Sequence, residues 1–597
     1  MESAIIRFAQ ANIGHVRLAG LFFCALYVAV RLSCLICATE TNYWMWMIWI
    51  FETLWTYQSL TIELPRRIGQ TSKRLHLARN HALPSVDILL PCCGEPIDII
   101  RDTIRAACVI DYPQSAFRIL VLDDGNSLEL RQSVEELRHT WPNLLYYSRG
   151  TKPSQKVFAK AGNLNIGIFD IQGAMDKPPE FIASFDSDFL PAPNFLRATL
   201  PHLLGDENVG LVAARQDYYN LPPGDPLGQS LAIYWEVFLP RMNEMGTSIA
   251  STTGCVMRRD LAVKVGGFPT VNEVEDITLS MTLPAYGKRV VALDEMLQLG
   301  RVPSSLEGHV RQNRRWITGL TQLIATPWAP SRQSIPILSR YYMALSGIQW
   351  LWSPLSQSVG CAIIAPALIS RQALVPPNLL QVQTPLSLVA FGLVFLYEWL
   401  KAAATGFRLS AFAHLYDLWL CADRLYTLIQ YHILGSQAGR SLVTGSAENN
   451  WNNPTKVPTR MRQLKRDLWD SGVGFNVLFV FGALVGVFHS VLGAIERYSD
   501  WQFHTMTTLL YPPVVLMCYI SLTCHLVPLL CVIWPPQYPP RKAVLQTHPS
   551  DPRAVFPSEA VRQYNVRQRH APLGYRRHLV LIPVYVTFMT MFYFLYL

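Results

Sequence analysis

Four clusters of polar side chains in the middle of the chain could do chemistry together. Asp186-Ser187-Asp188 follows the apolar run Phe181–Phe185. Alternate residues of a strand face the same way, so the two carboxylates can approach one hard cation. Mg2+ or Mn2+ held by one or two carboxylates and diphosphate oxygens would neutralise a departing nucleoside diphosphate. Asp-x-Asp is equally a common turn. Asp123-Asp124-Gly125 reads in the same two ways, as a plain turn or as a contact to a base or ribose. Asp276 is a candidate general base whose pKa Glu275 raises by like-charge repulsion, or a carboxylate at the start of a helix over Ile277–Ala285. Gln312 and Arg315 share a helix face at i and i+3. The guanidinium fork suits a diphosphate, and Trp316 offers a flat ring for a sugar. The rival reading of this last cluster is a basic helix flanking a membrane, with Arg311 and Arg314 solvated or near headgroups.

The elements that must position these groups are legible in the hydrophobic pattern. Short apolar runs at Val86–Leu90, Phe117–Leu122, Phe181–Phe185, Val209–Ala214 and Ser251–Met257 alternate with helical spacing at Ile97–Ile110 and Ser127–His139. That alternation predicts an α/β domain with a mostly parallel sheet. Ligands bind beyond the carboxyl ends of such strands, where Asp123-Asp124 and Asp186-x-Asp188 fall.

The rest of the chain predicts a membrane. Half of the 597 residues are hydrophobic and 16% are charged, against about 25% in soluble domains. Seven apolar stretches are candidate spans: Leu18–Ala38, Tyr43–Ile62, Ala344–Ile369, Pro385–Thr405, Gly474–Ile495, Met506–Trp534 and Leu579–Leu597. The first two read as a hairpin rather than a cleaved signal peptide, with Arg31 and Glu52 pairing inside the bundle or Arg31 snorkelling to an interface. With the N-terminus inside, Arg66, Arg67, Lys73, Arg74 and Arg79 are inside, as are the many basic residues of 535–578, while the outside connections hold only Arg371 and Arg497. Aromatic-rich 406–440 is expected as an amphipathic interfacial helix, with Ile317–Pro327 and Ile335–Gly347 lying there too. The net charge of +9 is thereby explained by membrane flanks rather than nucleic acid. The 12 cysteines form neither a zinc spacing nor a disulfide framework.

The motifs in this order resemble the processive family 2 glycosyltransferases: cellulose synthases and cellulose-like β-glucan synthases, with hyaluronan and chitin synthases more distant. Asp123-Asp124-Gly125, Lys160-Ala161-Gly162-Asn163-Leu164-Asn165, Asp186-Ser187-Asp188, Val274-Glu275-Asp276 and Gln312-Asn313-Arg314-Arg315-Trp316 carry the resemblance, and Gly94-Glu95-Pro96 is similar to the family's first loop. It implies a GT-A-type transferase domain joined to a helical transmembrane channel. It also implies a UDP-sugar donor, a growing polysaccharide acceptor, and Mg2+ or Mn2+ at Asp186 and Asp188. Glu95, Asp123 and Asp124 would hold uridine, with Lys160 also on the substrate. Asp276 would deprotonate the acceptor, Gln312 and Arg315 would grip the diphosphate, and Trp316 would hold the terminal sugar. Gly254 and Cys255 sit where the family has an acceptor contact, in a different order. Ser441-Leu442-Val443-Thr444 resembles a gating loop, so Val443 and Thr444 are expected to sense substrate, while Ser441 replaces the family's aromatic.

The expected divisions are a hairpin (1–62), a cytosolic transferase domain (63–319), interfacial helices with two spans (320–440) and a gating-loop region (441–473). Two further spans (474–534), a cytosolic segment (535–578) and a last span (579–597) complete them. The 535–578 segment is too short for the cyclic-di-GMP barrel of bacterial cellulose synthases, so no such regulation is expected. The expected location is the plasma membrane with the catalytic domain cytosolic, and a homo-oligomer is compatible with the sequence. UDP-glucose is the preferred donor, because chitin synthases have Glu-Asp-Arg where this chain has Glu275-Asp276-Ile277. UDP-N-acetylglucosamine, and non-processive transfer to a lipid, are the alternatives.

Overall fold

The structure, a computed structural model, describes residues 2–61, 73–78, 83–149, 159–329, 335–376, 383–407, 412, 415, 417–435, 466–496, 505, 508, 511–548, 551–570 and 591. Twelve strands occur among them: β1 Val86–Cys92, β2 Phe117–Asp123, β3 Leu144–Tyr147, β4 Phe181–Ser184, β5 Leu190–Pro191, β6 Val209–Ala214, β7 Asp217–Tyr218, β8 Cys255–Arg258, β9 Arg289–Leu293, β10 Gln298–Gly300, β11 Leu545–Thr547 and β12 Val555–Pro557. The main sheet has the order β3-β2-β1-β4-β8-β6-β9. Its pairings are parallel except at β8, which runs antiparallel to both β4 and β6. The mostly parallel α/β sheet expected from the apolar runs is therefore present, with one reversed strand.

The apolar runs become strands because both sheet faces are covered. Every residue of β1 is buried, and one apolar core lies on each face of the sheet. A fully buried strand tolerates Asp87 only because its carboxylate is saturated. Arg118 donates to both oxygens at 2.7 and 3.0 Å, and Gln172 Nε2 donates at 2.8 Å. From β1 the chain winds outward to β2 and β3, then crosses back to β4 on the other side of β1. The crevice at that switch point is where β1, β2 and β4 end in Cys93-Gly94-Glu95, Asp123-Asp124 and Asp186-Ser187-Asp188.

Four helices among the described residues are long and apolar enough to cross a membrane: Ile13–Ile36, Ile337–Ile369, Leu386–Ala404 and Val473–Glu496. The chain is a membrane protein. The other expected spans differ. Tyr43–Thr61 is one continuous helix, but its Trp, Tyr and Glu52 content lowers its hydropathy. Pro512–Ile533 is one 22-residue apolar helix with Pro528 inside it. Leu579–Leu597 lies outside the described residues apart from Met591. Charges inside the bundle are paired, as burial in a low-dielectric medium requires. Arg31 Nε reaches Glu52 Oε2 at 2.9 Å with both side chains buried, which settles the pairing-or-snorkelling alternative for pairing. Lys401 Nζ lies 2.7 Å from Glu398 and donates to the Ser59 carbonyl at 2.7 Å.

The bounds of the expected interfacial helices are corrected. Ile317 belongs to the continuous helix Leu306–Gln322, and Ile337 begins the 33-residue helix Ile337–Ile369. In 406–440 the described helix is the shorter Cys421–His432. All 12 cysteines are free thiols, in line with the absence of a disulfide framework.

Candidate active site

A cavity of about 2860 Å³ opens at the switch point. It is lined at one end by Asp124 and Arg149, in the middle by Lys160, Asp186, Asp188 and Asp276, and beyond them by Arg315 and Trp316. From there it continues between the helices Ile337–Ile369 and Cys421–His432 as far as Gln357.

At the nucleotide end the two aspartates of Asp123-Asp124-Gly125 have different tasks. Asp123 is buried and occupied: its carboxylate accepts from Gly125 N–H and Ser127 N–H at 2.7 Å each and from Tyr146 Oη at 2.8 Å. It shapes the loop and presents the helix Leu128–Arg138, whose first turn Ser127 caps. Asp124 has one oxygen 2.5 Å from Arg149 and the other, Oδ1, buried without a hydrogen-bond partner. A buried carboxylate oxygen left open this way awaits a donor. Burial raises the Asp124 pKa, with Arg149 pulling it back. Glu95 Oε2 accepts from Cys93 N–H at 2.6 Å. Its pKa is likewise raised by burial.

At the centre, Lys160 stands between the acidic groups, 2.5 Å from Asp186 Oδ1 and 3.8 Å from Glu275 Oε1. Burial works against its charge, but Asp186 and then Glu275 outweigh it and raise its pKa. Asp188 is pushed up to about 7 by burial and then by Asp186, with Arg301 opposing. Asp276 lies in the first turn of the helix Glu275–Thr282, whose capping position is Val274 without a side-chain cap. Its Oδ1 accepts from Ile277 N–H at 2.8 Å. Burial and then Glu275 push it up to about 7, against Lys160. A carboxyl that titrates there can take and return a proton near neutrality. Glu275 accepts from Thr252 Oγ1 at 2.6 Å, so it is an oriented neighbour of Asp276.

On the far side, Gln312, Arg315 and Trp316 face the cavity from the helix Leu306–Gln322, whose first turn Ser305 caps at Gly308 N–H, 3.0 Å. Arg315 makes no hydrogen bond or ion pair among the described residues. The other arginines of this helix are not solvated cations as expected. Arg311 pairs with Glu307, and Arg314 clasps the buried Asp423 through Nη2 at 2.5 Å and Nε at 3.0 Å. Arg424 Nη2 to Asn313 Oδ1 at 3.0 Å and Gln322 Nε2 to Tyr431 Oη at 2.9 Å add to this junction with Cys421–His432.

The site thus gathers Glu95, Asp124, Lys160, Asp186, Asp188, Glu275, Asp276, Gln312, Arg315 and Trp316. Gly254 and Cys255 are not among the lining residues. Cys255 is buried in the core. Gly254, at φ +65°, has a backbone role: its N–H donates to Ser184 O at 2.8 Å, and a Cβ there would meet Gln298 at 2.2 Å. The turn shortens the expected strand Ser251–Met257 to β8 and leaves Thr252 and Thr253 facing the cavity. Val443 and Thr444 lie outside the described residues. Arg149 and Arg301 were not anticipated. Each follows a short strand, so the signal was a basic residue just past a strand end.

Residues 87–266 match the profile described as glycosyl transferase family 2, and residues 181–401 that of glycosyl transferase family group 2. The chain is similar to the cellulose synthase catalytic subunit (UDP-forming) of Xanthomonas axonopodis pv. citri (strain 306), with 28% identity over 283 residues, 46% of this chain and 35% of that protein. The matched region thus spans about a third of that relative's length. It is 25% identical over 438 residues to the probable glucomannan 4-beta-mannosyltransferase 7 of Oryza sativa subsp. japonica, 68% of this chain and 69% of that protein. Among solved structures, the mannosyltransferase PcManGT from Pyrobaculum calidifontis in complex with GDP-Man and Mn2+ covers 65% of this chain and 97% of its own, at 17% identity and a TM-score of 0.40.

Proposed function

We propose that this chain, a cellulose synthase-like member of the family 2 glycosyltransferases with a GT-A-type fold, is a processive inverting hexosyltransferase that builds a β-linked glucan from UDP-glucose and passes it across the membrane. One observation carries the reading: a carboxyl at about 7, an aspartate pair and an arginine without a partner among the described residues share one cavity that continues along the membrane helix Ile337–Ile369.

In this reading uracil enters beside Asp124. One oxygen of that carboxylate is committed to Arg149, leaving one buried acceptor. A single acceptor matches the one N3–H of uracil, whereas guanine presents two adjacent donors on its N1 and N2 edge. This favours a uridine donor over a guanosine donor. Lys160, Gln312 and Arg315 face the diphosphate, and Trp316 carries the acceptor's last sugar. Asp276 takes the proton of the acceptor hydroxyl. That oxygen bonds to the anomeric carbon as the bond to the UDP oxygen breaks, and configuration inverts.

A divalent ion, Mg2+ or Mn2+, fits Asp186 and Asp188. Asp188 is held partly protonated near neutrality by burial and then by Asp186, even with Arg301 opposing and Lys160 2.5 Å from Asp186. Among the described residues there is no group of three or more His, Cys, Asp or Glu suited to a metal. The remaining coordination positions would be left to phosphate and water, as is usual for Mg2+. When bound, the ion neutralises charge on the departing UDP.

The catalytic domain faces the cytosol in this reading. The test is purified protein in bilayers given radiolabelled UDP-glucose, UDP-N-acetylglucosamine or GDP-mannose with Mg2+ or Mn2+. Insoluble product from UDP-glucose, digested by a linkage-specific glucanase, is expected. Polymer only from another donor overturns the glucose assignment, and a short solvent-extractable product overturns processivity.

A further inference from the structure

Residues 535–548 and 551–570 follow the helix Pro512–Ile533 and lie across the transferase domain, on the side that carries Asp188. Three contacts define their path. Arg541 reaches Asp98 Oδ2 at 2.5 Å and Asp102 Oδ2 at 2.6 Å on the helix Ile97–Cys108. The hairpin β11–β12 brings Val544 and Phe556 into an apolar cluster with Leu190, Tyr219 and Leu299. Tyr538 lies buried with Phe189, Tyr218 and Val302, and its hydroxyl donates to Gln229 Oε1 at 2.8 Å. Farther on, the buried Asn565 donates from Nδ2 to the Tyr218 carbonyl at 2.9 Å.

These contacts converge on a small sheet, β5-β10-β7. Each of its pairings joins only two residues of each strand: Gln298 and Leu299 to Pro191 and Leu190, and Leu299 and Gly300 to Asp217 and Tyr218. A sheet of two- and three-residue strands has too little internal pairing to hold its own geometry. Yet β5 begins two residues after Asp188, and β10 ends one residue before Arg301, which also lines the cavity. The same segment acts from the other side. The helix gripped by Arg541 carries Thr103, whose hydroxyl donates at 2.8 Å to the carbonyl of Ser187, between the two aspartates. Gln229, held by Tyr538, donates in turn to the Pro303 carbonyl at 2.7 Å, two residues past Arg301.

We propose that residues 535–548 and 551–570 form a strap that fixes the diphosphate wall of the site, with Tyr538, Arg541 and Asn565 as positioning residues for Asp188 and Arg301. The strap touches neither donor nor acceptor. It acts through β5, β7, β10 and the Thr103–Ser187 bond, and it joins the helix Pro512–Ile533 to the wall where UDP is held and released. The proposal rests on the donor-site reading above.

The test uses the full-length chain in nanodiscs with Asn565→Ala, Tyr538→Phe and Arg541→Gln. Tyr538→Phe keeps the ring in its cluster and removes only the hydroxyl, so it guards against a folding failure. Three quantities are read: amide hydrogen exchange of 186–191 and 298–303, UDP affinity by calorimetry with Mg2+, and the split between KM and kcat. Faster exchange confined to those two segments is expected, with UDP Kd and donor KM raised about tenfold, the effect of losing one well-made hydrogen bond, and kcat much less affected. Unchanged exchange in both segments overturns the proposal, as does a uniform rise in exchange across the domain. Exchange needs neither turnover nor ligand. An unaltered protein that makes no polymer therefore counts against the proposed function and leaves the strap to be decided by exchange.

Discussion

Replacing Glu275 by Gln is expected to make the enzyme better at acidic pH. Asp276 is pushed up to about 7 by burial first and by Glu275 second. Glutamine removes the second cause while its carbonyl can still accept from Thr252 Oγ1, which now lies 2.6 Å from Glu275. Lys160 keeps its 2.5 Å contact to Asp186. The like charge beside Asp276 is worth on the order of 1 pKa unit, the lower part of the usual range for a neighbouring charge. A base must be ionised to act. With a pKa of about 7, roughly a tenth of Asp276 is ionised at pH 6, and with about 6 roughly half is. The rate at pH 6, relative to its plateau, should therefore rise about fivefold. The assay is the initial rate of polymer formation across pH 5–9 at saturating donor, with UDP affinity measured alongside. An acidic limb that stays in place or moves upward, with UDP binding intact, would refute Asp276 as the titrating base.

Asp276→Asn should abolish polymer while UDP binds as before; polymer from that variant would mean another group takes the proton. Because its folded-state pKa is raised, Asp276 binds a proton more tightly folded than unfolded. Its contribution to stability is full below about 4, the usual carboxylate range, and is lost as pH rises through about 7. Thermal melts of the metal-free protein should show Asp276→Asn removing that loss, and parallel pH curves for variant and parent would contradict it. Asp423→Asn leaves Arg314 facing a partner without charge and should cost on the order of 3 kcal/mol, read from denaturant melts. In a double-mutant cycle with Arg314→Gln, additive losses would show the two to be uncoupled. Gly254→Ala combines a positive φ with a Cβ 2.2 Å from Gln298, so it should lower the melting temperature markedly. An unchanged melt would mean that the loop relaxes freely.

Much of the site was legible before any coordinates. Strand-end carboxylates, the Glu275-Asp276 pair and the Gln312–Trp316 helix face are local patterns, and chemistry of this kind restricts residue type and spacing. The long apolar runs were equally plain, since a membrane or a doubly covered sheet leaves a stretch of sequence no freedom to be polar. Val209–Ala214 became a strand with the expected bounds because all six residues are buried.

Other features depend on partners far away in the chain. Asp123 and Asp124 are adjacent and alike in sequence, yet Tyr146 and Arg149 give one a structural task and leave the other with an open oxygen. Arg314 and Arg315 are neighbours too. Asp423, more than a hundred residues on, takes the first, while the second remains for a ligand. Cys255 was read as a contact and proved to be core because Gly254 turns the backbone before it. The reversal of β8 and the placement of 535–548 and 551–570 over the wall of the site are likewise decided by packing. Sequence by itself determined which groups are present and on what kind of element. The tertiary structure decided which of them are already satisfied, because a buried charge or donor is spent on whatever the fold brings within about 3 Å.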